Sequence, residues 1–223
     1  MRTFLFIFLL LVPLPLRACG LALLLAVDVS GSVDRDEYAI QMLGLADALR
    51  DGIVADALVS QQASVGLLQW TGATRQHLSI PWTSMHSHSE VLVFANRIEA
   101  EPRAWRNYST ALGEALEASL TALASVGHCG RKVVDVSGDG VSNEGVEPSI
   151  TRNQLNRAGV TVNAIAIETD DTDLTAYFFE NVITGEGAFV FSANGFEDYP
   201  EKIRKKLQRE TTERTSSLTK HLP

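Results

Sequence analysis

Leu21-Ala22-Leu23-Leu24-Leu25-Ala26-Val27-Asp28-Val29-Ser30-Gly31-Ser32 runs from an unbroken apolar stretch into three side chains that carry hard oxygen donors. An apolar run of this length, closed by a polar segment with a glycine, reads as a strand buried on both faces. Extended backbone sends residues i, i+2 and i+4 to one side. Asp28, Ser30 and Ser32 can therefore converge on one point while Val29 turns away and Gly31 relieves crowding. A carboxylate with two hydroxyls suits Mg²⁺, with Mn²⁺ as a close substitute, and suits zinc poorly. By themselves these residues fit equally well a strand ending in a polar turn, with Ser30 or Ser32 capping a helix that starts near Val33.

Two later segments repeat the theme. Arg131-Lys132-Val133-Val134-Asp135-Val136-Ser137-Gly138-Asp139-Gly140 reads as a second strand that delivers Asp139 into a glycine-flanked turn. Ser109-Thr110-Ala111-Leu112-Gly113-Glu114-Ala115-Leu116 reads as a loop entering a helix, with Thr110 at or near its start. The three segments together resemble the von Willebrand factor A (integrin I-like) family and its metal-ion-dependent adhesion site. The family pattern is Asp-x-Ser-x-Ser, a Thr opening a helix, and an Asp in a Thr-Asp-Gly turn. Asp28, Ser30 and Ser32 match the first element, Thr110 the second and Asp139 the third. Gly138 stands where the family usually has Thr, and Ser109 competes with Thr110 for the hydroxyl role.

The resemblance covers about residues 20 to 209, and the two strand segments look more narrowly like an uncharacterised group of exported bacterial A-like proteins. It implies an α/β fold: a doubly wound, mostly parallel sheet with one antiparallel edge strand and helices on both faces. It also implies a Mg²⁺-dependent, adhesion-type module that binds a protein partner through the partner's Asp or Glu. Asp28 is expected at a solvent-facing strand end.

At 223 residues, with 45% hydrophobic and 21% charged residues, the chain suits one globular domain plus its ends. A net charge of −8 argues against a nucleic-acid partner, because phosphate binding draws on Lys and Arg. Met1-Arg2, the largely apolar residues from Phe4 to Leu16, and Arg17-Ala18-Cys19 read as a secretory signal over residues 1–18. Loss of that segment removes two cations and takes the charge to −10. The expected address is exported, periplasmic or secreted, with no stable membrane insertion once the signal is removed, since Pro13 and Pro15 interrupt a segment short for a spanning helix. In the A-like fold the strands carrying Asp28 and Asp139 are parallel neighbours. The resemblance thus brings Cys19 and Cys129, each at the start of one of these strands, to one sheet edge as a disulfide pair suited to an oxidising compartment. The rival is a lipoprotein, acylated at Cys19.

Between these landmarks the chain alternates. A helix runs from Asp34 to about Arg50, and strands at 63–70 and 76–80 form an antiparallel edge pair. Helices follow at 87–100 and 110–125, then the strand to Asp139. The second half continues with a helix at 149–158, a strand at 160–167, a helix at 172–181, a strand at 188–191 and a helix at 196–209. Strand–helix alternation of this kind implies a parallel sheet covered on both faces. The domain is read as residues 19–209 and the polar segment 210–223 as a disordered tail.

Other candidates have plainer readings beside them. Asp135 is either a group orienting a metal ligand or an Asp paired to Arg or to backbone near a helix end. His86 and His88 form a His-x-His more in keeping with a solvated loop than with zinc. Trp82 suits packing, Trp105 and Tyr108 either packing or the rim of a ligand surface, and the cations of residues 202–209 a solvated final helix. An enzymatic alternative is a metal-dependent hydrolase acting on phosphate or ester substrates. The chain lacks a Gly-x-Ser-x-Gly elbow and a Gly-x-x-x-x-Gly-Lys phosphate loop, and no general base is evident beside the metal pattern.

Overall fold

A computed structural model describes residues 19–169 and 173–212. Residues 1–18, read above as a secretory signal, and 213–223 of the expected tail lie outside the described residues, whereas Glu210 and Thr211, also assigned to that tail, belong to the last helix. The first strand, β1 (Leu21–Asp28), is followed by α1 (Arg35–Arg50), α2 (Gly52–Ser60), β2 (Ser64–Trp70), β3 (Gln76–Ser84), α3 (His88–Ala100) and α4 (Leu112–Leu123). The second half holds β4 (Arg131–Gly138), α5 (Pro148–Arg157), β5 (Thr161–Glu168), α6 (Leu174–Asn181), β6 (Val190–Asn194) and α7 (Tyr199–Thr211). The strand order is β3-β2-β1-β4-β5-β6, parallel throughout except for the antiparallel edge pair β2–β3. This is the architecture the sequence predicts, with one added helix and shifted boundaries.

Every residue of β1 is buried, yet its side chains divide by parity. Leu21, Leu23, Leu25 and Val27 pack with Met42, Leu45 and Leu49 of α1, Phe94 and Ile98 of α3 and Ile203 and Leu207 of α7. Ala22, Leu24 and Ala26 face the other way, toward Leu112 and Leu116 of α4, Leu155 of α5 and Phe178 of α6. A sheet covered on both faces needs apolar residues at both parities, which is why the run is continuous.

The boundaries that moved have local causes. Helix α2 is set off from α1 by Asp51, whose side chain accepts from the backbone N–H of Ile53 and Val54 at 3.0 and 3.3 Å, as an N-cap does. The last strand lies two to three residues later than expected and is followed by Gly195 at φ +78°. Helix α7 starts at Tyr199, with Pro200 in its first turn, where a missing N–H costs nothing. It runs to Thr211 rather than 209 because Gln61 Nε2 donates to the Thr211 carbonyl at 2.7 Å and Glu210 is buried.

Chain order reverses between β1 and β4, so the loops beyond their carboxyl ends part and leave a crevice there. In register, Val27 lies opposite Ser137, which puts Asp28 beside Gly138 and Asp139 just past it. At the opposite end of the same strands, Cys19 and Cys129 are joined in a disulfide. The N–H of Gly130 donates to the Cys19 carbonyl at 2.9 Å and that of Arg131 to the Gly20 carbonyl at 2.9 Å, so the bridge extends the strand pair. No helix among the described residues is long and apolar enough to cross a membrane.

Candidate metal centre

Asp28, Ser30, Ser32 and Asp139 meet at the crevice. The Ser30 N–H donates to Asp28 Oδ1 at 2.7 Å, Ser30 Oγ lies 3.1 Å from Ser32 Oγ, and the Ser32 hydroxyl donates to Asp139 Oδ1 at 2.7 Å. Asp28 Oδ2 is buried and has no hydrogen-bond partner. Asp34 caps α1, accepting from the N–H of Asp36 and Glu37, so neither serine is used as the helix cap. Both hydroxyls are left for the crevice.

Asp28 is fully buried, where a solvent-facing strand end is expected. Trp70 and Phe178 close over the strand tips from the neighbouring elements, and a Cβ at Gly138 would come within 3.3 Å of Asp28 Oδ2 and 3.4 Å of both rings. The departure at Gly138 thus leaves room for the carboxylate. Burial, reinforced by the charge of Asp139, pushes the Asp28 carboxyl up to about 8. Asp139 is raised as well, by its own burial, against the lowering effect of the Ser32 hydrogen bond. Two carboxyls so placed are short of positive charge.

Thr110 stands two residues before α4 and is almost fully buried, its Oγ1 facing Gly140. Its N–H donates to Asn143 Oδ1 at 2.9 Å, and its carbonyl accepts from the Asn143 N–H at 2.9 Å and the Ser142 hydroxyl at 3.3 Å. Ser109 is exposed and takes part through its carbonyl, which accepts the Thr71 hydroxyl at 2.9 Å. The geometry therefore favours Thr110 over Ser109 as the middle oxygen. Thr110→Ala is expected to weaken Mg²⁺ binding more than Ser109→Ala in titration calorimetry, and the reverse order would move the assignment by one residue.

Several residues that hold this crevice carry no pattern in the sequence. Arg103 Nη2 donates to the carbonyls of Ser30 at 2.7 Å and Val29 at 3.1 Å, and Nη1 to that of Asp34 at 3.3 Å, fixing the loop that bears the serines. Gln41 Nε2 donates to the Asp28 carbonyl at 3.1 Å. The Gly31 N–H donates to the Tyr108 carbonyl at 2.8 Å, and a Cβ at Gly31 would lie a tight 3.3 Å from that oxygen, so glycine lets the two loops meet without a shift. An Arg after a Pro and a Gln inside a helix give no local signal of such roles.

The remaining candidates lie elsewhere. Asp135 pairs with Lys206 of α7 at 2.6 Å, because its parity turns it toward that helix. His86 Nδ1 lies 2.6 Å from Gln62 Oε1 and His88 Nε2 2.7 Å from Asp56, so the two rings have separate partners. Among the described residues the one His/Cys/carboxylate cluster at ligand spacing is Cys19, His128 and Cys129, whose sulfurs are already joined. Trp82 donates its Nε1–H to the Ala122 carbonyl, Trp105 packs on the core, and Tyr108 is exposed with the Arg75 guanidinium 3.6 Å over its ring.

Solved structures with the same architecture are of von Willebrand factor A domains and proteins that contain them. Proximal thread matrix protein 1 from the mussel byssus superposes with a TM-score of 0.67 at 18% identity, over 84% of this chain and 46% of that one. A second structure of that protein, described as having a zinc-occupied MIDAS motif, gives 0.67 at 17% identity over 87% and 46%. The vWF domain of the type V pili tip protein Mfa5 from Porphyromonas gingivalis gives 0.64 at 9% identity, over 89% of this chain and 99% of that one. The chain spans about half the length of the mussel protein. No curated protein matches by sequence. The fold is that of a von Willebrand factor A-like domain, and the chain belongs to the family described as "Protein of unknown function (DUF1194)", whose model matches residues 18–215.

Proposed function

We propose that this protein is an exported, divalent-metal-dependent binding module in which Asp28, Ser30, Ser32, Thr110 and Asp139 hold Mg²⁺ and the metal takes an Asp or Glu of a protein partner. The observation that carries this is Asp28 Oδ2, a buried carboxylate oxygen without a donor, beside a second carboxylate bridged to it through Ser30 and Ser32. A buried charged oxygen left unpaired costs several kcal/mol, roughly, unless a cation or a proton meets it. Two carboxylates and hydroxyls form an oxygen-only donor set of the kind hard cations prefer, and the zinc-occupied motif of the mussel protein supports a divalent ion in general.

With Mg²⁺ bound, the two carboxylates and the ion are neutral together. The Arg103 guanidinium lies just behind them, spread over the carbonyls of Val29 and Ser30. The charge of Glu37 also acts on Asp139, so it is the ion itself that would draw an anionic oxygen to an open coordination position. A pilus adhesin and a byssal thread matrix protein among the structures of the same fold fit an adhesion role. Export through the signal at 1–18, a domain over 19–209 and release as a soluble protein belong to the same proposal.

The test is a pull-down on the mature protein in Mg²⁺ against EDTA, with Asp139→Ala as the control and the captured proteins identified by mass spectrometry. A partner retained in Mg²⁺ and lost both with EDTA and in the variant supports the reading. Capture that ignores the metal and the variant would sink it. The hydrolase alternative predicts a different result, and no side chain in the crevice is free to act as a base once both carboxylates are ligands. The protein with Mg²⁺ or Mn²⁺ is therefore expected to show no turnover on generic phosphate and carboxylic ester substrates. Metal-dependent hydrolysis that disappears in Asp139→Ala would reverse the order of the two readings.

A further inference from the structure

At the opposite end of the sheet, three ionisable side chains are sealed together. Lys206 and Glu210, one turn apart on α7, and Asp135 of β4 have side chains with 0 to 1% of their surface exposed. Lys206 Nζ lies 2.6 Å from Asp135 Oδ2 and 2.8 Å from Glu210 Oε1. If all three were ionised, the cluster would bury a net negative charge, which is far more costly than a matched pair. Lys206 is thus shared by two buried carboxyls, one from β4 and one from α7. A hydrogen on one of the two carboxyls would cancel that excess charge. Glu210 Oε2 meets no N–H or O–H of the protein, which leaves it free to carry that hydrogen.

We propose that Glu210, which shares Lys206 with Asp135, holds a proton on its buried carboxyl, and that this proton latches the last turn of α7 onto β4 so that the helix end loosens as the pH rises. Burial, then the charge of Asp135, pushes the Glu210 carboxyl up to about 8, and Lys206 only partly opposes them. From α7 itself, the Tyr199 hydroxyl bonds to Ser137 at 3.1 Å, and the Arg209 guanidinium stacks 3.8 Å over Phe189. From β4, Arg131 Nη2 reaches the Glu210 backbone carbonyl at 3.0 Å and Gln61 Oε1 at 3.4 Å. From β5, Asn163 Oδ1 is taken by the Phe189 N–H. At the α1–α2 junction, Asp51 is engaged by Gln208 and Arg204, away from the cluster.

A cavity of about 200 Å³, lined by Arg131, Lys132, Glu186, Arg209 and Glu210, opens beside the cluster and gives it a route to water. Loss of the proton leaves two carboxylates against one ammonium. Glu210 is the member nearest the helix end, so it is the one that can swing into that cavity. Thr211, held by Gln61 through its carbonyl, would go with it.

The sign follows from linkage. Glu210 titrates higher in the folded state than its ordinary 4.5, so the folded protein holds an extra proton between that value and about 8. The cluster's contribution to stability is complete below the lower value and is lost as the pH rises through the window. Denaturant unfolding from about pH 5.5 to about pH 8.5 should show the wild-type unfolding constant rising about tenfold per pH unit relative to Glu210→Gln. The amide that this substitution introduces is neutral, like the protonated carboxyl, so that variant should stay latched. Titration of Asp28 contributes equally to both proteins and cancels in the comparison.

Amide hydrogen exchange at residues 210–212, corrected for its intrinsic pH dependence, should accelerate above about pH 8 in the wild type and not in Glu210→Gln. Infrared spectroscopy is a readout independent of unfolding. In difference spectra between the proteins near pH 6, where the Asp28 carboxyl contributes equally and cancels, a further protonated-carboxyl band is expected in the wild type and should be missing from Glu210→Gln. It should be missing from Asp135→Asn too, where Lys206 and Glu210 form a matched pair. Parallel stability profiles for the wild type and Glu210→Gln, or no such band in the wild type, would overturn the proposal. If Glu210→Gln does not fold, the wild-type band and its loss in Asp135→Asn decide.

Discussion

Asp28→Asn is expected to abolish stabilisation by Mg²⁺ while leaving the metal-free domain folded and no less stable at neutral pH. In the wild type, Mg²⁺ at a hundredfold excess over its Kd should add about 2.7 kcal/mol, roughly 5 to 10 °C in Tm for a domain of this size. The variant should show no shift. Without metal, the raised Asp28 carboxyl means that the folded state favours the protonated form. Its contribution is complete below the ordinary aspartate range and is lost as pH rises toward about 8, so a neutral amide there removes a cost instead of a support. The amide oxygen still accepts the Ser30 N–H, which keeps the loop in place. Losing a direct ligand should reduce affinity by more than the roughly 10- to 100-fold seen when partners of ligands are removed. Thermal melts with and without Mg²⁺ decide the matter: an unchanged Mg²⁺ shift in Asp28→Asn would refute the metal assignment.

Reduction of the Cys19–Cys129 bridge is expected to lower the Tm strongly without touching the metal. The sulfurs close a loop with a sequence separation of 110 residues. Loop entropy puts the gain at roughly 4 to 5 kcal/mol, an upper figure because unfolded chains retain structure. For a domain of this size that corresponds to about 10 to 20 °C. The bridge sits at the amino ends of β1 and β4, and Asp28 at the far end of β1, nine residues on from Cys19, is about 30 Å away at the usual rise per residue. Mg²⁺ affinity measured below the reduced melting point should therefore match that of the oxidised protein. Non-reducing peptide mapping of protein recovered from the export compartment checks the premise. An acylated Cys19 or two free thiols there would contradict the bridge and, in the first case, would anchor the protein to a membrane.

The sequence by itself determined the fold class and the two strand tips. A continuous apolar run ending in Asp28-Val29-Ser30-Gly31-Ser32, and a second strand ending in Gly138-Asp139-Gly140, are local patterns whose period and termination need no distant partner to be read. Hydroxyl and carboxylate donors at alternate positions converge wherever the backbone is extended. The final boundaries were less legible, because helix α7 is held to Thr211 by Gln61, a residue 150 positions away.

Only the tertiary structure decided the environment of each group. Asp28 is buried because Trp70 from β2 and Phe178 from α6 close on the strand tips, and nothing within its own segment announces either ring. Arg103 and Gln41 hold the crevice by donating to backbone carbonyls, which every residue carries and no motif marks. Asp135 reads in sequence as an oddity in an apolar strand. Its partners Lys206 and Glu210 come from a helix some 70 residues later, and burial with one cation between two carboxyls turns three ordinary charges into a group that binds a proton. Spacing along the chain sets which atoms can point together, whereas charge state depends on desolvation and on neighbours that only folding supplies.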